Sequence, residues 1–242
     1  MFETLLVTDG RVHALAAHLA RLDRSLHALY GLAVPAGLGD ELTADAAALT
    51  GRHRLRVDAV PDGNAPSIAR TVTGLAPDPS PGVVCSPLLT PGGLGAHKWC
   101  DRRWIDAVTR PDAVALLVDT DGCVLEAAWA NLWLREGDRL VTPPADGRLL
   151  PGITRARLIE LAPTLGLTVA EEPVSLHRTG TASEVFLTSS LRLAVAAVIL
   201  DGPPPITVDG PPAAAVDGRA PATARTSPPS AWLTRIRAAL GG

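Results

Sequence analysis

The chain has 242 residues, enough for one large domain or two small ones. Hydrophobic residues make up 47% and aromatic residues only 3%, so Ala, Val and Leu have to fill the core. The net charge of -3, with both signs scattered, argues against a nucleic-acid surface or a basic membrane patch. The three cysteines, Cys85, Cys100 and Cys123, lack CxxC spacing. That speaks against a metal site or a disulfide framework and fits a reducing cytoplasm. The longest aliphatic run, 193–200, is far too short to span a bilayer, and the start of the chain reads as a strand rather than a signal peptide.

In chain order, residues 2–7 read as a strand, Asp9-Gly10 as a hairpin turn and 11–13 as the return strand. Leu15, Leu19, Leu22, Leu26 and Leu29 then recur at helical spacing, with Gly31 as the stop. His18, Arg21 and Ser25 flank that stripe. A second helix is expected over 40–49. Residues 52–57 alternate, which puts Arg52, Arg54 and Arg56 on one strand face and His53, Leu55 and Val57 on the other. Residues 61–64 are a turn and 67–73 another strand.

Residues 76–96 are rich in Pro and Gly and mark a boundary, with one short strand at 83–86. The reading is a small domain over 1–88, a linker over 89–95 and a larger domain over 96–242. Lys98 precedes a helix expected at 101–109. Residues 113–142 look all-β, with turns at Asp121-Gly122 and Gly137-Asp138. Gly152 opens a helix expected at 154–165, ended by Gly166. Residues 184–190 are a strand running into a hydroxyl cluster, and 193–200 a buried strand. Residues 201–230 read as a poorly ordered loop and 232–240 as a closing helix.

Four features carry possible chemistry. A glycine ahead of a helix, as in Gly152-Ile153-Thr154, leaves backbone N–H groups and the positive end of a dipole for an anion, or is an ordinary helix start. Lys98 is the only lysine of the chain. A lysine kept where arginine serves elsewhere suggests work that requires deprotonation, which arginine cannot do; otherwise it is a surface lysine. Glu126 ends an apolar strand pattern and is either an edge acid or a carboxylate facing a cofactor. Arg21 is either a solvated helix arginine or one at the core border that reaches a buried anion.

The stretch Glu126-Ala127-Ala128-Trp129-Ala130-Asn131-Leu132-Trp133, followed by Leu140-Val141-Thr142 and by Leu150-Pro151-Gly152-Ile153-Thr154-Arg155, resembles the signature of the class IV aminotransferase family, the fold-type IV pyridoxal phosphate enzymes. The one departure is Trp133, where the family prefers Phe or Tyr. Phe2-Glu3-Thr4, His18-Leu19-Ala20-Arg21-Leu22 and the strand from Glu184 to Thr188 extend the resemblance over residues 2–200. It implies an α+β fold with a small N-terminal α/β domain and a larger β-barrel-like domain with helices. It also implies the cofactor pyridoxal 5'-phosphate and a homodimer. Carried over by position, Lys98 is the Schiff-base lysine and Glu126 faces the pyridine nitrogen. Arg21, Ile153 and Thr154 hold the phosphate, and Ser189 or Ser190 adds a phosphate or carboxylate contact. Relatives carry an additional strand before Phe-Glu-Thr; either the start of this sequence is misplaced or that strand is absent.

Within the family, the resemblance is greatest to aminodeoxychorismate lyases, through Gly92-Gly93-Leu94-Gly95-Ala96-His97-Lys98-Trp99 and the Phe-Glu-Thr-Leu-Leu-Val start. It implies a lyase that yields 4-aminobenzoate and pyruvate, linked in function to an aminodeoxychorismate synthase. An aminotransferase for branched-chain or D-amino acids and a non-catalytic relative are the alternatives. One of Arg52, Arg54 and Arg56 is a candidate for a substrate carboxylate.

Overall fold

The computed structural model describes residues 1–76, 82–200 and 230–242. The chain forms two compact units, one of residues 1–79 with 97–101, the other of 80–96 with 102–242.

The first unit is an antiparallel sheet of β1 (Phe2–Thr8), β2 (Arg11–Val12), β3 (Arg52–Asp62) and β4 (Ala65–Gly74), in the order β2-β1-β3-β4, with helices α1 (Leu15–Tyr30) and α2 (Leu38–Ala46). Asp9 and Gly10 both have positive φ, 47° and 79°, the turn that an Asp-Gly pair favours between twisted strands. Strand alternation sends Leu5 and Val7 of β1, and Leu55, Val57 and Ala59 of β3, into one core with Leu22 and Leu26 of α1 and Leu38, Leu42 and Ala46 of α2. Each large side chain buried there contributes roughly 1.5–3 kcal/mol. Gly31 ends α1 at φ 67°, its N–H reaching the His27 carbonyl. Two expectations need correction. Leu29, the last of the leucine stripe, is 37% exposed. The second helix starts earlier than residue 40, because Gly37 turns the chain at φ 85° and Asp40 and Glu41 then fall in the first turn, where the helix dipole favours acids.

The second unit is a nine-stranded sheet built from β5 (Gly82–Leu89), β6 (Val114–Val118), β7 (Cys123–Ala127), β8 (Ala130–Glu136), β9 (Arg139–Thr142), β10 (Thr168–Glu171), β11 (Val174–Ser175), β12 (Glu184–Ser189) and β13 (Leu193–Ile199). The order is β10-β9-β8-β12-β13-β5-β6-β7-β11, and an extra pairing of β7 with β8 closes it into a barrel. β5 runs parallel to both β6 and β13. Successive residues separate two cores. Leu132, Leu134 and Leu187 share one with Cys85, Leu116 and Val195. Trp133 and Phe186 point the other way, to α4 (Ile153–Leu161) and α6 (Ala231–Gly241) through Leu158, Leu233, Ile236 and Leu240. Trp133 and Phe186 are stacked at 5.9 Å.

Here too some elements differ from the sequence reading. The helix expected to reach residue 165 stops at Leu161 and tightens into a 3-10 turn over 162–165, since Pro163 has no N–H to continue the α ladder. The helix near residue 101 is only α3 (Arg103–Val108). β10, β11 and α5 (Leu176–Thr181) carry no strong periodic signal and were not foreseen. The loop expected over 201–230 lies, but for Ser230, outside the described residues. No helix among the described residues is long and apolar enough to cross a membrane.

Candidate cofactor-binding residues

In the first unit, Glu3 of β1 and Arg21 and His18 of α1 form a buried cluster, each 5% exposed or less. Strand alternation turns Glu3 to the helix side of the sheet, with Leu5 and Val7. Arg21 donates from Nε to Glu3 Oε1 at 2.8 Å and from its terminal nitrogen to Oε2 at 2.6 Å. His18 Nδ1 lies 2.7 Å from the same Oε2. Burial pushes the Glu3 carboxyl upward, but the hydrogen bonds from His18 and Arg21 outweigh it and hold it at about 2. Burial lowers the His18 pKa, with the Arg21 and Lys98 charges acting the same way against the pull of Glu3, so the imidazole is neutral and its Nδ1–H donates. The Arg21 guanidinium is therefore the charge that keeps Glu3 ionised. The bidentate fork uses two of its five donors and fixes its plane.

Lys98 belongs to the same unit. Its carbonyl accepts from the Phe2 N–H at 3.0 Å. Its Nζ stands 4.5 Å from the centroid of the Phe2 ring, and the Arg56 guanidinium lies 4.1 Å from that centroid. Both cations are thus held on one aromatic side chain next to Glu3. Arg56 is in turn paired with Asp58 through two hydrogen bonds of 2.7 and 2.6 Å. Cys100, two residues after Lys98, donates to the Met1 carbonyl at 2.9 Å.

In the second unit, Glu126 of β7 sits directly opposite Asn131 of β8, which sits opposite Thr188 of β12. All three are buried. Glu126 Oε1 accepts the Leu150 N–H at 3.1 Å, and Oε2 accepts Asn131 Nδ2 at 3.3 Å. Thr188 Oγ1 accepts the Trp133 indole N–H at 3.0 Å, which supplies the partner a buried indole needs at this departure from the family pattern. Gly152 is the N-cap of α4 and no side chain caps that end. Thr154 in its first turn is 7% exposed. Ser189 ends β12 on the face opposite Thr188, and its Oγ accepts the Arg192 N–H at 3.4 Å. Ser190 follows the strand end. Glu126 is therefore linked through Asn131 and Leu150 to the segment that leads into α4, and Ser189 follows Thr188, the residue opposite Asn131. Sequence reasoning assigned no role to Glu3, His18 or Asn131. All three stand inside the quoted motifs, and that was the available signal.

Residues 99–198 match the family described as amino-transferase class IV. That match covers 100 of the 242 residues. The enzymes of that family use pyridoxal phosphate. A hypothetical aminotransferase from Mycobacterium tuberculosis, solved in its PLP-bound form, shares the fold at a TM-score of 0.76 and 23% identity, covering 100% of this chain and 87% of that one. A 4-amino-4-deoxychorismate lyase from Pseudomonas aeruginosa is similar at a TM-score of 0.67 and 29% identity, covering 83% of each chain. By sequence, the branched-chain-amino-acid aminotransferase 1 of Arabidopsis thaliana is 39% identical over 79 residues, 33% of this chain and 21% of its own length. The branched-chain-amino-acid aminotransferase of Salmonella typhimurium is 34% identical over 87 residues, 36% of this chain and 28% of its own length. The matched stretch thus spans about a third or less of the curated relatives.

The residues of this chain fit pyridoxal phosphate. Glu126, whose two buried carboxyl oxygens accept from Asn131 and from the Leu150 N–H, suits a pyridine nitrogen. A helix start without a side-chain cap suits a phosphate. Lys98 is a primary amine half-buried beside an aromatic ring.

Proposed function

We propose that the protein is a pyridoxal phosphate-dependent 4-amino-4-deoxychorismate lyase that releases 4-aminobenzoate and pyruvate. The observation that carries this reading is the likeness to the Pseudomonas lyase over 83% of both chains. In this reading Lys98 carries the cofactor and Glu126 meets its ring nitrogen. Arg21, Ile153 and Thr154 hold its phosphate, with Ser189 or Ser190 adding a contact. The cofactor supplies an electron sink for a carbanion next to the substrate nitrogen. The Lys98 amine, released when the substrate amine takes its place on the cofactor, removes the proton from the ring carbon that bears that nitrogen. The electron pair becomes a ring double bond as the carbon–oxygen bond to the enolpyruvyl group breaks. The Lys98 ammonium returns a proton to the departing oxygen, and the enol becomes pyruvate. Aromatisation drives the elimination. A homodimer and a synthase that supplies the substrate complete the proposal.

A second reading, a branched-chain aminotransferase, is favoured by the relatives that match 36% of this chain. An aminotransferase needs a keto-acid acceptor and a lyase needs none. Purified protein supplied with pyridoxal phosphate is expected to be yellow and to release 4-aminobenzoate with no keto acid present. A yellow protein that turns over only with a keto acid would replace the lyase by the aminotransferase. Lys98→Ala is expected to abolish both the visible band and turnover.

A further inference from the structure

We propose that Asn131 is a positioning residue that fixes the Glu126 carboxylate and the first turn of α4 to one another. The inference rests on the reading above, in which those two groups meet the ring nitrogen and the phosphate of one cofactor.

Asn131 is 5% exposed. Its amide nitrogen donates to the Leu150 carbonyl at 2.9 Å and to Glu126 Oε2 at 3.3 Å. Both partners are acceptors, so the amide has one orientation, with Oδ1 on the side away from them. The Leu150 N–H returns a bond to Glu126 Oε1 at 3.1 Å. Carboxylate, side-chain amide and the main chain of Leu150 thus close a ring of hydrogen bonds two residues before Gly152. The other end of the amide meets Gly152 itself. A Cβ on that residue would stand 1.9 Å from Asn131 Oδ1, closer than real Cβ contacts come, and a tight 3.1 Å from its Cγ.

The backbone of Gly152 explains nothing here, since φ -68° and ψ 138° suit any residue. Glycine is needed at the N-cap because the Asn131 amide occupies the space of its side chain. One amide therefore grips the acid by its nitrogen and seats the helix start by its oxygen. Asn131 touches no reacting atom in this account; it acts through Glu126 and through the α4 N-terminus.

The test is a cycle of Asn131→Ala, Gly152→Ala and the double variant, with Asn131→Asp as an isosteric control and Glu126→Gln as reference. Two quantities are read: the affinity of the apoprotein for pyridoxal phosphate, and the pH at which the visible band of the bound cofactor changes. Asn131→Ala and Asn131→Asp are each expected to weaken cofactor affinity about tenfold or more and to shift that pH, as Glu126→Gln does. Gly152→Ala is expected to weaken affinity in the parent protein and to have no effect once Asn131 is alanine, because the shortened side chain leaves room for the methyl. Wild-type affinity and pH profile in Asn131→Asp would overturn the proposal, and so would an undiminished Gly152→Ala penalty in the double variant. A parent protein that binds no pyridoxal phosphate, or a Glu126→Gln variant with an unchanged band, would instead sink the proposed function.

Discussion

At the scale of single residues, the buried Glu3–Arg21 pair decides how the first unit responds to acid. Glu3 has its carboxyl held at about 2, below its ordinary 4.5, so its contribution to stability is complete above about pH 5 and is lost as pH falls toward 2. His18 has its pKa lowered as well, and its neutral form is favoured by folding; that contribution is lost as pH falls below the ordinary histidine range. Both effects have the same sign. Glu3→Gln is expected to cost about 3 kcal/mol at neutral pH and to remove the steep loss of stability between about pH 5 and 2. Denaturant titrations at a series of pH values measure it; equal slopes for parent and variant across that window would contradict the assignment. The cluster was not legible beforehand, because a strand residue and a helix face meet only after folding. Lys98 was conspicuous because no other lysine accompanies it. Asn131 was visible as a letter in a motif, but its work depends on a glycine twenty-one positions later, which no local pattern links to it.

At the scale of elements, local chemistry was the readable part. Asp9-Gly10, Gly31 and Gly166 all take the positive φ that their positions imply. The short strands β10 and β11 were not readable, since neither alternates clearly between buried and exposed. The segment after β5 shows what fastens an irregular stretch. Asp119 accepts the Gly92 N–H at 2.9 Å and a hydrogen bond from Arg148 at 3.0 Å, and the Gly95 N–H reaches the Arg148 carbonyl at 3.2 Å. Between them, Gly93 has φ 71°, and a Cβ there would lie 2.0 Å from that same carbonyl oxygen. Gly93→Ala therefore meets both a strained conformation and a backbone clash. A loss of about 3 kcal/mol or more is expected in thermal or chemical unfolding. The closing helix α6 is tied down differently, by apolar packing of Leu233, Ile236 and Leu240 and by Ser230 and Trp232 hydrogen bonding to Glu184. Ile236→Ala is expected to cost roughly 2–4 kcal/mol, whereas Trp104→Ala, at a side chain 41% exposed, is expected to change stability by less than about 1 kcal/mol.

At the scale of the whole molecule, the fold class was readable because the signature is long and specific, while the strand order was not. Hairpins such as β7–β8 follow from turn residues, but nothing in the residues of β5 names its partners. β5 is an apolar segment at 82–89 whose neighbours on the two sides are β6 at 114–118 and β13 at 193–199, both parallel to it. That arrangement has a consequence for the protein while it is being made. At ~5–20 residues per second, a ribosome delivers β13 on the order of ten seconds after β5. During that interval the Gly82–Cys85 part of β5 lacks the strand it pairs with on that side, and such edges recruit other chains. The nascent protein is therefore most exposed to misassembly in mid-synthesis, with the first unit's strands complete and the barrel still open.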